Sequence, residues 1–369
     1  LLLSAEAEKT TDPQSLFASA RAEYARLIGA LYAEGYYSGV ISIRIDGREA
    51  ADIAPLDAPG QISRIAVSVT PGPRFTFAAA RMKPYARGTL LPSDYRDTLP
   101  AKSTAIVDAA EAGVDGWRNI GHAKAEVADQ SITADHRANT VTSEIFLEPG
   151  PRVRFGKLRV TGNERMRIDR IRRIAGFPEG EVYEPKELET VAKRLRRTGV
   201  FSSVALTEQK TLGPGNTLDV DLALAEDKLR KFGFGAEVSG SEGLDLSGYW
   251  LHRNLLGGGE RLKFDAALTR ISGADSKMGY DVGVRIDRPA TPVTDATAFI
   301  DVRVQRLDLA DREVDRQALT FGLTRVFGDT LTAEAAITYA RETARDSIGS
   351  LHYKSLSLPV SLTWDRRDS

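Results

Sequence analysis

Gly248-Tyr249-Trp250-Leu251-His252-Arg253-Asn254-Leu255-Leu256-Gly257-Gly258-Gly259-Glu260-Arg261-Leu262 carries one alternating stretch into a glycine turn and out into another. Downstream, Leu262, Phe264, Ala266 and Leu268 alternate with Lys263, Asp265, Ala267 and Thr269. Upstream, Phe232, Phe234, Ala236 and Val238 alternate with Lys231, Gly233, Gly235 and Glu237. Successive side chains of a strand point to opposite faces, so a period of two predicts strands with one apolar face. The glycine run is not a phosphate cradle, because no Gly-Lys-Ser/Thr follows it and no helix comes next. Gly233-Phe234-Gly235 is likewise no dinucleotide fingerprint; small residues there permit tight curvature.

The alternation continues towards the end of the chain. Tyr280, Val282, Val284 and Ile286 alternate with polar neighbours, as do Ala298, Ile300, Val302 and Val304. Leu319-Phe321-Leu323, Leu331 to Tyr339, and Leu356 to Trp364 extend the pattern. With Leu244 to Leu251 these are eight candidate strands. Each is near the length of about 9–11 residues with which a tilted strand crosses a bilayer. No apolar run long enough for a transmembrane helix exists, and barrel strands leave no such run because their hydropathy averages out. A soluble sheet with one wet face also alternates. Three features favour a barrel: no helix interrupts the strands, the polar face carries single charges of both signs, and Tyr249, Trp250, Tyr280, Tyr339, Tyr353 and Trp364 are candidate interface anchors.

Before Leu229 the pattern is different. Pro71-Gly72-Pro73-Arg74-Phe75 recurs 78 residues later as Pro149-Gly150-Pro151-Arg152-Val153, each time after an alternating apolar stretch. Three helix–Gly–strand junctions also recur: Leu31 to Tyr37, Trp117 to Ala123, and Leu195 to Phe201. Glycine ends a helix without the steric cost of a Cβ in the left-handed region. Together these mark modules of roughly 75–80 residues, a usual size for a small domain. The third is the clearest: a strand through Phe155, Leu158 and Val160, then Thr161-Gly162-Asn163 and a helix through Ile168, Ile171 and Ile174. A second helix follows through Leu188, Val191 and Leu195, then strands from Val204 and through Leu218 to Leu224, giving the order β-α-α-β-β. Arg194, Arg196 and Arg197, and the cluster Arg165, Arg167, Arg170, Arg172 and Arg173, are expected on solvated helix faces, with contact to lipid head groups or partner acids as the other reading of the second cluster.

Strand, Thr161-Gly162-Asn163, two helices, Arg197-Thr198-Gly199-Val200-Phe201 and two strands resemble a POTRA domain. Arg253-Asn254-Leu255 with Gly257, Gly259 and Glu260 resembles the first-hairpin turn of the BamA/TamA outer-membrane assembly superfamily, and Asp365-Arg366-Arg367-Asp368 resembles a family strand end. The resemblance implies an α+β fold of tandem POTRA modules followed by the N-terminal half of an antiparallel transmembrane β-barrel. The modules are expected at 1–73 (first strand missing), 74–151 and 152–228, and about eight barrel strands at 229–369. Leu1-Leu2-Leu3-Ser4-Ala5 reads as the remains of an amphipathic helix, and the chain reads as truncated at both ends. Three modules are most like the TamA branch.

What the resemblance implies for function is assembly rather than catalysis: insertion or translocation of autotransporters and other barrel clients. Implied partners are unfolded outer-membrane clients, outer-membrane lipid and a TamB-like protein anchored in the inner membrane. The first barrel strand, with Phe232, Gly233, Phe234, Gly235 and Ala236, would form one side of the seam that templates a client. Two other readings are a two-partner secretion transporter and a soluble β-rich binding protein. With 50 basic and 51 acidic residues there is no electrostatic case for nucleic acid. Cysteine is absent, which removes thiol catalysis, disulfides and thiolate metal sites. His122, His136, His252 and His352 are scattered without ligand spacing. No catalytic residue, cofactor or metal is expected.

Overall fold

The computed structural model describes residues 12–239, 243–271, 278–308 and 312–366. The readings placed on Leu1 to Ala5 and on Arg367-Asp368 lie outside the described residues. The chain divides into two compact units, one running to Val153 and including Val182–Glu184, the other holding Arg154–Glu181 and everything from Pro185 onward.

The first unit opens with helix α1 (Pro13–Ala33), where Asp12 accepts the Ser15 amide at 3.0 Å and Pro13 starts the first turn. An acceptor side chain before a helix satisfies a donor that has no intrahelical partner. Strands β1 (Val40–Ile45), β2 (Arg48–Glu49) and β3 (Ile65–Thr70) form a sheet in the order β2-β1-β3. Phe17 and Ala20 of the helix pack with Ile43, Ile45 and Ile53 as its core. The next sheet takes β4 (Thr76–Lys83), β5 (Glu126–Asp135) and β6 (Thr140–Glu148) in the order β4-β6-β5, covered by helix α2 (Ser103–Arg118). This module has one α-helix where the β-α-α-β-β order has two. Pro84, Pro92 and Pro100 punctuate the stretch where the other helix would run, and each lacks the N–H that a helix interior needs. Tyr95 fills that space instead, buried, with its hydroxyl donating to the Arg81 carbonyl at 3.0 Å.

The repeated Pro-Gly-Pro-Arg segments make two copies of one joint. Phe75 N–H donates to the Gly35 carbonyl at 2.8 Å, and Val153 N–H donates to the Gly121 carbonyl at 2.8 Å. Arg74 Nε donates to the Glu34 carbonyl at 2.9 Å, and Arg152 Nε to the Ile120 carbonyl at 3.1 Å. The carbonyls of Phe75 and Val153 accept in turn from the amides of Ala101 and Tyr183. In the first copy Tyr37 packs edge-on against Phe75 and donates to the Ala101 carbonyl at 2.8 Å.

In the second unit β7 (Arg154–Thr161), helices α3 (Ile168–Ala175) and α4 (Pro185–Arg197), β8 (Phe201–Glu208) and β9 (Thr217–Glu226) follow the expected order. The sheet order is β7-β9-β8, with β7 parallel to β9. Ile171, Ile174, Val191 and Leu195 are buried, as are Phe155, Val204, Leu218, Val220 and Leu222 of the strands. The large sheet then begins: β10 (Arg230–Ser239), β11 (Gly243–His252), β12 (Arg261–Ile271), β13 (Gly279–Pro289), β14 (Ala296–Asp308), β15 (Glu313–Phe327), β16 (Leu331–Arg345), β17 (Ser350–Ser357) and β18 (Val360–Trp364). It is a nine-stranded antiparallel meander in chain order, except that β17 and β18 both pair with β16.

Two readings of these strands are corrected. The stretch Leu356 to Trp364 is not one strand, because Leu358 and Pro359 separate β17 from β18, and proline lacks the N–H that would continue a ladder. The strands β15 and β16, at 15 residues each, exceed the expected length.

Registry fixes the faces. Phe232, Trp250, Phe264, Val284, Val302, Leu319, Tyr339 and Leu356 are successive cross-strand partners, so one apolar row crosses the sheet from β10 to β17. On the other face Arg303 lies across the sheet, reaching Asp281 at 2.7 Å and Asp265 at 3.1 Å. Tyr249 and Tyr353 are on this charged face, paired with Gly233 and Glu342, so they are not the interface anchors expected of them. Trp250, Tyr280, Tyr339 and Trp364 keep the apolar parity.

Candidate functional site

The seam candidates lie on β10, an outermost strand of the large sheet. It pairs with β11 along one side and with no strand along the other among the described residues. Phe232 and Phe234 project from the apolar face, Phe234 89% exposed, and Ala236 continues their row. Gly233 and Gly235 point the other way. A Cβ on Gly233 would stand 2.2 Å from the Tyr249 ring, so the missing side chain is the seat of that ring. A Cβ on Gly235 would meet the Ser247 hydroxyl at 2.8 Å. The glycines therefore let the polar side chains of β11 lie flat against the edge strand.

Arg253 ties the root of β10 to β11. It donates from Nη1 to Asp227 at 2.6 Å and to the Lys228 carbonyl at 2.7 Å, while its amide donates to Leu229. The turn that follows joins β11 to β12, the second hairpin of the sheet and not the first, since β10 and β11 already pair as neighbours. Asn254 is 5% exposed and accepts the Gly259 amide at 2.9 Å. Glu260 is 3% exposed, accepts the Gly258 amide at 2.9 Å and faces Arg288 at 3.7 Å. Leu255 N–H closes the turn on the Glu260 carbonyl at 3.0 Å. Gly257 and Gly259 have φ of 76° and 80°, a conformation that penalises any Cβ. A Cβ on Gly259 would also press on Met166 at 3.0 Å. The motif residues Arg253, Asn254, Leu255, Gly257, Gly259 and Glu260 thus form one self-bonded loop.

That loop is gripped by the third module. Arg167 N–H donates to the Gly257 carbonyl at 2.9 Å. Arg170, only 4% exposed, donates from Nε to Gly258 at 3.3 Å and from Nη2 to the Pro289 carbonyl at 2.6 Å. Arg173 reaches the Pro292 carbonyl at 3.0 Å. From α4, Arg194 makes a fork to Asp295, with Nη2 at 2.8 Å, and Arg197 joins it at 2.8 Å. Lys193 meets Asp329 at 3.1 Å. Three turns at one end of the sheet (β11–β12, β13–β14 and β15–β16) are held by two helices.

These contacts correct the expectation that both arginine clusters are solvated faces. Arg170 is buried and Arg194 largely so. Burial pushes the Arg170 guanidinium below its usual range, with Arg288 adding repulsion. Burial would raise the Asp295 carboxyl, but hydrogen bonds from Arg194 and Arg197 outweigh it and hold it below the ordinary carboxylate range. The acceptors are mainly backbone carbonyls and one isolated aspartate, and a carbonyl acceptor leaves no trace in residue type. The spacing of Arg170 with Arg173 and of Arg194 with Arg197, three apart and so on one helical face, was the available signal. Among the described residues no group of three His, Asp or Glu side chains comes together as a cation site.

The family model for POTRA, the surface antigen variable number repeat, matches residues 153–226, the third module. The outer membrane protein assembly factor BamA of Neisseria meningitidis is 24% identical over 177 residues, 44% of this chain and 22% of that protein. BamA of Buchnera aphidicola is 24% identical over 131 residues, 36% of this chain and 21% of that protein. The chain thus spans about a fifth of the curated relatives it matches. The crystal structure of Haemophilus ducreyi BamA lacking POTRA domains 1–3 shares the fold, with a TM-score of 0.59 and 14% identity over 80% of this chain and 60% of that one. Residues 153–226 thus carry a POTRA repeat, and the chain is similar to BamA proteins over up to 44% of its length. The POTRA repeat and the similarity to BamA place the protein in the outer membrane with its POTRA domains in the periplasm.

Proposed function

We propose that this chain belongs to an Omp85-superfamily protein that inserts client β-barrels into the outer membrane, with β10 as the strand that a client pairs with first and the end of the sheet held by α3 and α4 on the periplasmic side. One observation carries the reading: among the described residues β10 is an outermost strand, paired on one side by β11, and its apolar row is continuous with the membrane-facing row of the sheet. An unpaired strand edge cannot rest in lipid, because each unsatisfied N–H and C=O costs several kcal/mol there, on the order of the penalties for buried polar groups. A client strand satisfies those groups as it enters. Phe232, Phe234 and Ala236 align its lipid-facing side chains, and on the lumenal side Gly233 and Gly235 seat the Tyr249 ring and the Ser247 hydroxyl of β11. The motif loop from Arg253 to Glu260 sets where β10 begins, and the helix arginines tie that loop to the periplasmic module that delivers the client.

Within the superfamily we place the chain nearest TamA. Three POTRA-like sheets stand before the barrel sheet, with boundaries near residues 73, 151 and 228 at the two Pro-Gly-Pro-Arg joints and the root of β10. Autotransporters are then among its clients and an inner-membrane-anchored TamB-like protein its partner.

Photo-crosslinking tests the seam. A crosslinker at Phe234 in the full protein, in cells expressing an autotransporter, is expected to yield adducts with the client's barrel strands. The same probe at Leu268, inside the sheet, should yield none. Equal labelling from both positions, or none from Phe234, would remove β10 from the pathway. Failure of a TamB-like protein to copurify would remove the TamA assignment alone.

A further inference from the structure

The apolar belt ends unevenly at its cell-surface edge. One registry row runs Phe234, Gly248, Ala266, Val282, Val304 and then turns polar at Gln317, Arg341 and Lys354 on β15, β16 and β17. These three share the membrane-facing parity of Leu319, Tyr339 and Leu356, one pleat nearer the periplasm. Arg341 and Lys354 are direct cross-strand partners, and neither side chain forms an ion pair or hydrogen bond among the described residues. Like charges placed directly opposite in a sheet repel.

The neighbouring cations are treated differently. Arg306 and Arg345 share Asp315, each at 2.7 Å. Arg306 also stands over the Tyr280 ring at 5.5 Å. The local acids are thus committed one row above, and the Arg341–Lys354 pair is left with two positive charges. A cleft of about 760 Å³ opens here, lined by Gln317, Arg341, Lys354, Arg306, Asp315 and Glu342, the last committed to the Tyr353 hydroxyl and to Arg316 at 3.3 Å. Tyr339 and Tyr280 mark this depth as the interface, where tyrosine rings sit at the headgroups.

We propose that this cleft binds the phosphate of an anionic lipid in the outer leaflet. Arg341 offers a planar fork to the phosphate oxygens, Lys354 a point charge beside it, and Gln317 a neutral donor from the adjacent strand. The acyl chains then descend along Tyr339, Leu319 and Leu356. The proposal rests on the outer-membrane placement and is independent of whether β10 templates clients.

The test is a change of sign. In vesicles of neutral phosphatidylcholine, the double variant Arg341→Gln/Lys354→Gln relieves repulsion and raises the urea midpoint of the full protein. In vesicles containing a fifth phosphatidylglycerol or lipid A, the same variant lowers the midpoint, by a few tenths molar as an order of magnitude. Native mass spectrometry from mixed micelles reads binding directly. Loss of two charge-assisted contacts reduces retained anionic lipid roughly tenfold or more, whereas Arg325→Gln at the periplasmic end leaves it unchanged. A midpoint shift of the same sign in both vesicles overturns the proposal. Displacement of the lipid by millimolar inorganic phosphate also overturns it, because the cleft would then be a site for free anions.

Discussion

The Arg170 guanidinium donates to the carbonyl of Pro289 at 2.6 Å, linking helix α3 of the last POTRA module to the turn between β13 and β14. Its Nε reaches Gly258 in the turn between β11 and β12. One buried side chain therefore spans two hairpins. Replacing it with Leu leaves the Gly258 carbonyl without this donor and the Pro289 carbonyl with only the Thr291 hydroxyl at 3.2 Å, and the expected loss is about 1–3 kcal/mol. Lys does not restore it, because a single ammonium on a flexible stem cannot hold both carbonyls in the geometry of a fork. Urea unfolding of the full protein in lipid, with hydrogen exchange at residues 257–260, measures both effects.

Asp295 gives the same grip a pH dependence. Its carboxyl is held below its ordinary range in the folded protein, so its contribution is complete above the unfolded carboxylate range, about pH 4. It is lost as pH falls through the depressed folded value. The amides near Ala296 are expected to lose exchange protection below about pH 4. Asp295→Asn should flatten that dependence and cost about 1 kcal/mol at neutral pH, a modest figure because the side chain is partly solvated and screened.

Gly233 and Tyr249 form a coupled pair at the edge strand. Gly233→Ala alone puts a methyl group into the ring's seat and is expected to cost about 1–3 kcal/mol. Adding Tyr249→Ala empties the seat, and most of that cost should vanish. A double-mutant cycle on unfolding free energy reads the coupling; additive effects would mean the ring does not rest on the glycine.

Asn254 carries the loop. Asn254→Ala removes the acceptor of the Gly259 amide from a nearly buried site, with an expected cost of about 1–3 kcal/mol. Exchange should rise first at Gly259, because the other bonds of the turn, from Leu255 to the Glu260 carbonyl and from Gly258 to the Glu260 carboxylate, do not involve the Asn254 side chain.

The strands of the large sheet were legible because a two-residue period is written in side-chain polarity, and polarity is what a membrane selects. Phe264, Val284 and Val302 needed only that rule. Tyr249 and Tyr353 escaped it, since a tyrosine suits lipid interface and wet wall alike, and only registry against Gly233 and Glu342 separates the two. The single helix of the second module falls on an alanine-rich stretch, Ser103–Arg118, while Pro84, Pro92 and Pro100 keep the preceding stretch from forming another. The arginine grip was hidden because its partners are mostly carbonyls, which every residue carries. The loop residues from Arg253 to Glu260 were visible as a motif, but their bonding to one another appears only when the glycines take left-handed conformations.

The Arg74–Glu34 and Arg152–Ile120 bonds have a consequence for how such a chain grows. Both halves of the joint are spelled within short segments: a helix ending in glycine, and a Pro-Gly-Pro-Arg that reaches back to it. A gene segment that carries one copy from its Pro-Gly-Pro-Arg to its terminal glycine brings its own plug and its own socket. Duplication or loss of such a segment leaves no unmatched connector, so module number can drift across lineages while the geometry at each connection is inherited intact.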